Sequence, residues 1–285
     1  MVKRTIGGRE VSAIGFGEAG LSVESPPPPE HGRAVVRAAY DAGVTLFDTA
    51  TCYVPSHLEQ GFGERLLTDA LAGTNGSTLI ASKAGIERIN TIEFSRDFLT
   101  DGSPAAIRRH CETTLQALRA ESIGLYQLHA PDPDVPLAET MGAFRELQEE
   151  GKIELVGVCN VDVDQLDEAR SAVEIASVQN KFSPAHRESA DVIERCEELG
   201  IAFLAYSPLG GLGDRAANLP SVCPAFAEVA EERGVSAHRV ALAWELALSP
   251  VVIPLVGARR FESIRDSAKA AELVLTPEEM GRLAA

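Results

Sequence analysis

Thr45-Leu-Phe-Asp-Thr-Ala-Thr-Cys-Tyr53 is the stretch from which the rest of the chain can be read. Before it, Val35, Val36, Ala39 and Tyr40 recur at helical spacing and Gly43 stops the pattern. A short buried strand over Thr45–Thr49 is therefore expected, delivering Asp48 at its end and Tyr53 in the loop beyond. Two later runs share this design. Ser77-Thr-Leu-Ile-Ala-Ser-Lys83 delivers a lysine, and Ile123-Gly-Leu-Tyr-Gln-Leu-His129 delivers a histidine.

Outward from these runs, strand and helix patterns take turns. On the N-terminal side, Gly7-Gly8 sits between two β-prone runs and predicts a hairpin over Val2–Ala13, with Ser12–Gly17 as a first strand. Pro26-Pro-Pro-Pro29 reads as a stiff loop. On the C-terminal side a helix is expected over Phe62–Leu71 and a strand over Thr78–Ser82. Ser103-Pro104 caps a helix whose apolar face is Ile107, Cys111, Leu115 and Leu118. Strands follow over Leu125–His129, Glu154–Val158, Ala176–Gln179, Ala202–Tyr206 and Val251–Leu255. Helices fall between and after them over Leu137–Glu149, Asp164–Val173, Ala190–Leu199, Phe226–Arg233, Ala237–Leu248 and Phe261–Leu273. Thr276-Pro277-Glu-Glu279 is a capping box that opens a last helix.

Eight strands alternating with helices imply a parallel sheet with right-handed crossovers. The count of eight points to a closed (β/α)8 barrel, one domain over residues 1–285 with an N-terminal hairpin and two extra C-terminal helices. The rival, an open doubly wound sheet, carries a G-x-G-x-x-G turn. Here Gly15-Phe-Gly17 is followed by Glu18-Ala19-Gly20, which lacks that spacing.

Composition narrows the function. A net charge of −16 would repel nucleic-acid phosphates and anionic membranes, so neither is expected as a partner. No apolar run reaches the roughly 20 residues needed to cross a bilayer, and Met1-Val-Lys-Arg-Thr5 carries no signal region, so a cytoplasmic protein is expected. The five cysteines are odd in number and have no CxxC spacing, which argues against a metal site or disulfide framework. Cys111 and Cys196 lie in helical patterns as small core residues, whereas Cys52 and Cys159 stand near strand ends and could face a pocket.

In such a barrel the chemistry sits at the C-terminal strand ends. Asp48, Tyr53, Lys83 and His129 would then ring one mouth. Each alone has an ordinary reading as a cap, a solvated charge or a packed ring. Together they suit a proton donor. A phenol with a pKa near 10 gives up its proton poorly at neutral pH, and a nearby ammonium lowers that pKa. Asp48 would hold Lys83 charged, and His129 would orient a carbonyl oxygen or relay a proton. The chemistry such a set would suit is carbonyl reduction, with Tyr53 protonating the oxygen as hydride reaches the carbon.

Phe47-Asp-Thr-Ala-Thr-Cys-Tyr53, Ala81-Ser-Lys83, Leu128-His-Ala-Pro-Asp132, Gly157-Val-Cys-Asn160, Val178-Gln-Asn180, Ala205-Tyr-Ser-Pro-Leu209 and Ile253-Pro-Leu-Val-Gly257 resemble, in order, the successive motifs of the aldo-keto reductase superfamily. The resemblance implies a (β/α)8 barrel binding NADPH, less often NADH, without a Rossmann domain. It implies that Asp48, Tyr53, Lys83 and His129 are the catalytic tetrad with Tyr53 the acid. It places Gly17, Asp48 and Cys159 beside the cofactor and gives Asn160 and Gln179 the nicotinamide carboxamide. Tyr206 would stack on the nicotinamide ring, and Ser207, Pro208 and Leu209 would run beside the pyrophosphate. The segment from Gly257 through Arg259, Ser263 and Asp266 to Ser267 would meet the adenosine end. The chain departs from the family pattern at Cys159, where serine is usual, and at Ser263, Asp266 and Ser267, where Arg or Gln, Glu and Asn are usual. Arg259 and Arg260 read either as a grip on a 2′-phosphate or as a solvated helix start.

The implied function is an NADP-dependent reductase of an aldehyde or ketone, or the same enzyme run as an alcohol dehydrogenase. A small-molecule carbonyl compound is the expected partner, in a monomer or small homo-oligomer. A regulatory subunit of the same fold that binds cofactor without turnover is the alternative, and a barrel isomerase or dehydratase using Lys83 and His129 a third. The loop from Ala84 to Gly102 is long and carries Ile86, Ile89, Ile92, Phe94, Phe98 and Leu99, whereas the loop from Gly210 to Pro220 is short. The last capped helix runs to Ala285, so no tail is expected across the mouth. An open pocket with one apolar wall, fit for a bulky or ring-containing carbonyl compound, is the expectation.

Overall fold

The structure is a computed structural model that describes residues 2–23, 25–56, 59–75, 77–89, 98–211 and 214–284. Its strands, in chain order, are β1 Lys3–Ile6, β2 Arg9–Ser12, β3 Gly15–Gly17, β4 Leu46–Asp48, β5 Leu79–Ala84, β6 Ile86–Arg88, β7 Phe98–Thr100, β8 Ile123–Leu128, β9 Ile153–Cys159, β10 Ser177–Lys181, β11 Ala202–Tyr206 and β12 Val252–Val256. β1 with β2, and β6 with β7, form antiparallel hairpins. The other eight close into a barrel in the order β3-β4-β5-β8-β9-β10-β11-β12, all parallel, and β12 pairs back onto β3. Helices join and surround them, so the fold is a (β/α)8 barrel with an N-terminal hairpin.

Side chains alternate across each strand, and this sorts them between two cores. Leu46, Leu79, Ala81, Leu125, Leu204, Ile253 and Leu255 form one buried cluster with Ile6 and Val11 of the first hairpin. That hairpin closes the lower end of the barrel, where a Cβ on Gly7 would meet Leu155 at 2.5 Å. The opposite strand faces carry Val156, Val158, Val178, Phe203 and Val252, which join Phe144, Leu147, Ile193 and Val240 of the surrounding helices in a second, larger cluster.

The inner rows change character as they rise. Two residues after Leu46 comes Asp48, after Ala81 comes Lys83, after Leu125 comes Gln127, and after Leu204 comes Tyr206. An apolar floor thus gives way to polar groups at the C-terminal ends, where this architecture places its chemistry.

Helix ends follow their local chemistry. Ser103 accepts a hydrogen bond from the Ala106 amide at 3.3 Å and starts the helix Pro104–Leu118. Ile107, Cys111, Leu115 and Leu118 on it are buried, each such contact contributing about 1.5–3 kcal/mol when fully formed by a large apolar side chain. In the final capping box the Thr276 amide donates to Glu279 Oε2 at 2.7 Å, and the Glu279 amide donates to Thr276 Oγ1 at 3.2 Å.

Some boundaries differ from the sequence expectation. Ser12 belongs to the hairpin, opposite Lys3, and barrel pairing begins only at Gly15. Pro29 is not loop but the first residue of the helix Pro29–Asp41, where its fixed φ suits the opening turn. The helix after β12 ends at Ala268 and tightens into a 3-10 turn over Lys269–Glu272. Three short helices, Ala19–Ser22, Asp214–Ala217 and Leu219–Val222, lie where no helix was expected. Among the described residues no helix is long and apolar enough to cross a membrane.

Candidate active site

Asp48 ends β4 and Lys83 lies on the neighbouring β5, both pointing into the barrel mouth. The Lys83 ammonium donates to Asp48 Oδ1 at 2.6 Å and to the Thr49 carbonyl at 2.8 Å. Asp48 Oδ2 accepts from Gln179 at 2.9 Å and from Gln127 at 3.4 Å. The carboxylate and ammonium, both nearly inaccessible to solvent, are therefore compensated by each other and by neutral donors. Room for this polar layer exists because β9 carries Gly157 between Gln127 of β8 and Ser177 of β10. A Cβ there would meet Ser177 Oγ at 2.3 Å and Gln127 Cγ at 2.9 Å.

Tyr53 reaches this pair from the loop after β4. The loop is fixed by Thr51, whose amide donates to the Lys83 carbonyl at 3.2 Å and whose hydroxyl donates to the same oxygen at 2.8 Å. Lys83 Nζ lies 4.8 Å from the centre of the Tyr53 ring. His129, just past β8, meets Tyr53 edge to face, with ring centres 5.6 Å apart and planes at 78°. The four expected residues are thus brought together around one point.

The electrostatics set their proton states. Burial pushes the Tyr53 phenol above its ordinary value, and the Lys83 charge opposes that rise. The sequence led to a net lowering by the ammonium, but burial outweighs it here, and Lys83 spends its hydrogen bonds on Asp48 and Thr49. Burial pulls the Lys83 ammonium down, but the acidic groups around it, the Asp48 carboxylate first among them, together hold it above the ordinary lysine range. Burial, then the Lys83 charge, keeps His129 well below the ordinary imidazole value, so its ring is neutral. The arrangement holds one fixed cation beneath a proton-bearing phenol and a neutral imidazole.

The rim beside the tetrad carries the other expected residues. Asn160, held at φ +57°, donates from Nδ2 to the His129 carbonyl at 2.8 Å and accepts the Tyr206 hydroxyl at 2.9 Å. Gln179 commits its Nε2 to Asp48, and Cys159 is buried at the end of β9. Ser207 follows Tyr206 at φ +55°, with Pro208 and a buried Leu209 beyond. A Cβ on Gly17 or Gly257 would meet no atom closer than 3.6 Å, so the absence of side chains leaves open room at the rim. The two amide side chains match the hydrogen-bonding pattern of a carboxamide. These features fit a nicotinamide cofactor lying across the mouth.

At the far end Arg259 and Arg260 are exposed just before the helix Phe261–Ala268. Arg259 Nε donates to the Gly20 carbonyl at 2.8 Å, and its own carbonyl accepts from His31 at 2.8 Å. Ser263 is half-buried and Ser267 buried on that helix. Asp266, expected at the adenosine end, is engaged at its two carboxylate oxygens by Arg239 and Ser236. It ties its helix to the helix Ala237–Leu248.

The sequence reading missed Gln127, although it shares a strand face with His129 two residues later. It also missed a buried acid cluster behind the site. Glu18 accepts from Ser22 and, at 2.6 Å, from Thr49. Glu64 accepts from Ser82 at 3.0 Å and Thr114 at 3.1 Å. Burial raises both carboxyls, Glu18 to about 8. The only sequence signal for Glu18 was an acid directly after the first barrel strand. Of the expected apolar wall, Ile86 and Phe98 are half-buried and Ile89 and Leu99 exposed on the second hairpin, while Ile92 and Phe94 lie outside the described residues.

A profile of the Aldo/keto reductase family matches residues 13–285. An uncharacterised oxidoreductase of Schizosaccharomyces pombe is 30% identical over 284 residues, covering 98% of this chain and 87% of that protein. Among solved structures, a thermostable aldo-keto reductase in complex with the inhibitor epalrestat aligns with TM-score 0.83 at 29% identity, covering 99% of this chain and 98% of that one. An aldo-keto reductase of Klebsiella pneumoniae in complex with NADPH aligns with TM-score 0.81 at 27% identity, covering 99% of this chain and 94% of that one.

Proposed function

The chain belongs to the aldo/keto reductase family of oxidoreductases, and from that premise we propose that it reduces an aldehyde or ketone with NADPH, as a single domain over residues 1–285. The observation that carries the reading is the Lys83–Asp48 pair at 2.6 Å beneath Tyr53, with the His129 ring beside it. A bound nicotinamide supplies hydride to the carbonyl carbon. The chain's own residues manage the oxygen. His129 fixes it by hydrogen bonding, and Tyr53 gives its phenolic proton to the developing alkoxide. The Lys83 charge stabilises the phenolate left behind, which then takes a proton from solvent. Asp48, with Gln127 and Gln179, holds Lys83 in place.

Asn160 and Gln179 are suited to the carboxamide and Tyr206 to the nicotinamide face. Ser207, Pro208, Leu209, Gly17 and Gly257 border the path toward the two exposed guanidiniums. Arg259 and Arg260 support NADPH over NADH, since guanidinium pairs well with a 2′-phosphate. The NADPH complex of the Klebsiella pneumoniae relative supports the same choice. The exposed Ile89 and Leu99 support an apolar wall and a bulky or cyclic carbonyl substrate. An intact tetrad speaks against a regulatory subunit without turnover.

The test is a panel of aldehydes, cyclic ketones and sugars, followed by loss of reduced-nicotinamide absorbance with each cofactor. Turnover of at least one bulky carbonyl with NADPH, and weaker turnover with NADH, is expected. Tight NADPH binding without turnover of any member would favour the regulatory alternative.

A further inference from the structure

We infer that Cys52 is a positioning residue that fixes the tautomer of His129, so that the imidazole presents Nε2–H to the substrate oxygen. The inference rests on the carbonyl-reducing reading of the site. Its basis is the distance of 3.5 Å between Cys52 Sγ and His129 Nδ1, close enough for a thiol hydrogen bond.

Both partners are held where they meet. Cys52 is buried, and the loop carrying it is tied at Thr51 to the Lys83 carbonyl and at Val54 back to the Cys52 carbonyl. His129 is fixed through its main chain, its amide donating to the Ala84 carbonyl at 2.8 Å and its carbonyl accepting from Asn160 at 2.8 Å. Those bonds leave the ring's orientation to its side-chain neighbours, Tyr53 on its edge and Cys52 at Nδ1.

The direction of the bond follows from acid strength. Burial pushes the Cys52 thiol up to about 12, so the sulfur keeps its proton. His129 is neutral and carries one ring proton. A neutral imidazole nitrogen without hydrogen is a strong acceptor, whereas sulfur is a weak one. The pair is therefore S–H donating to Nδ1, and the ring proton resides on Nε2. The opposite tautomer would present a bare nitrogen lone pair to the substrate oxygen and could not hold it.

The test reads the tautomer itself, by long-range proton–nitrogen NMR of histidine-labelled protein in the parent, Cys52→Ala, Cys52→Val and Cys52→Ser. Val fills the buried volume if the Ala variant folds poorly. The parent is expected to show the Nε2–H pattern for His129, the Ala and Val variants a mixture, and the Ser variant the parent pattern, because a hydroxyl also donates. In steady-state reduction kcat should fall about five- to tenfold in Ala and Val, the effect of one hydrogen bond. Ser should restore most of it, with NADPH affinity unmoved throughout. An Nδ1–H parent, an unchanged tautomer in Ala and Val, or a shifted tautomer with undiminished kcat would each overturn the inference. The NMR arm needs no turnover, so a protein that reduces no carbonyl compound would refute the functional reading while the tautomer remained measurable.

Discussion

Burying an ammonium beside a carboxylate is tolerated only when every remaining donor and acceptor is satisfied. At Asp48 and Lys83, Gln127 and Gln179 donate to the carboxylate and the Thr49 carbonyl takes a second ammonium proton, leaving the third N–H on the side of the Tyr53 ring. The same fixed cation decides how the imidazole behaves. Burial and Lys83 together keep His129 neutral well below its ordinary range. An unperturbed imidazole titrates near pH 6.5, so an ordinary His129 would bend the pH profile there. The prediction is that kcat/KM for reduction shows no inflection between about pH 5.5 and 8. An acid limb centred near 6.5 that disappears in His129→Gln would contradict it. The clustering of Asp48, Tyr53, Lys83 and His129 was legible because strand ends in a barrel converge. The hydrogen-bonding commitments of Gln179 and Asp266 were not, since sequence spacing does not say which way an amide or carboxylate turns.

At the scale of elements, the second hairpin is hydrogen-bonded to the loop that carries Tyr53. The Arg88 guanidinium on β6 donates to the Val54 carbonyl, one residue past Tyr53, and to the Val23 carbonyl at 3.3 Å. It also stands 5.8 Å over the Phe98 ring of β7. The other side of the hairpin is anchored by Glu87, which accepts from Arg109 and, at 3.0 Å, from His110 on the helix Pro104–Leu118. Hydrogen bonds from a charged donor contribute about 1.5–3 kcal/mol. Arg88→Ala should therefore lower kcat about ten- to a hundredfold and speed amide exchange at residues 51–54, with Arg88→Lys intermediate. Parent-like exchange in that loop would show that the hairpin does not brace it. This hairpin escaped the sequence reading because no two-residue turn joins its strands. Helix ends at Ser103, Gly151 and Gly200 were legible because caps and left-handed glycines act locally. The extents of β3 and β5 were not, since barrel pairing across the chain decides where a strand stops.

At the scale of the whole molecule, three carboxyls among the described residues are buried with no cation hydrogen-bonded or ion-paired to them. Glu18 and Glu64 find hydroxyl donors, but Glu245 is fully buried on the helix Ala237–Leu248 and neither of its oxygens has a hydrogen-bond partner among the described residues. Burial raises it well above the usual carboxylate range. In the unfolded chain it ionises near pH 4.3, while in the fold it stays protonated. Above that pH the unfolded state therefore binds fewer protons, and stability falls as pH rises, by about 1.4 kcal/mol per pH unit for one group. Glu245→Gln removes this dependence without changing side-chain volume. The variant should gain on the parent in urea midpoint steadily from about pH 5 to 8. A difference that stays constant with pH would mean that Glu245 is ionised in the folded protein.

The proposed reaction depends on Tyr53 being the proton donor to a carbonyl oxygen. The most direct test is single-turnover oxidation of bound NADPH by a reducible ketone in the parent and in Tyr53→Phe, with NADPH affinity measured on the same samples. General acid catalysis contributes about 10²–10⁴-fold, so the transfer rate should fall by that factor while NADPH affinity is unchanged. A Tyr53→Phe enzyme that transfers hydride at the parent rate would contradict the account.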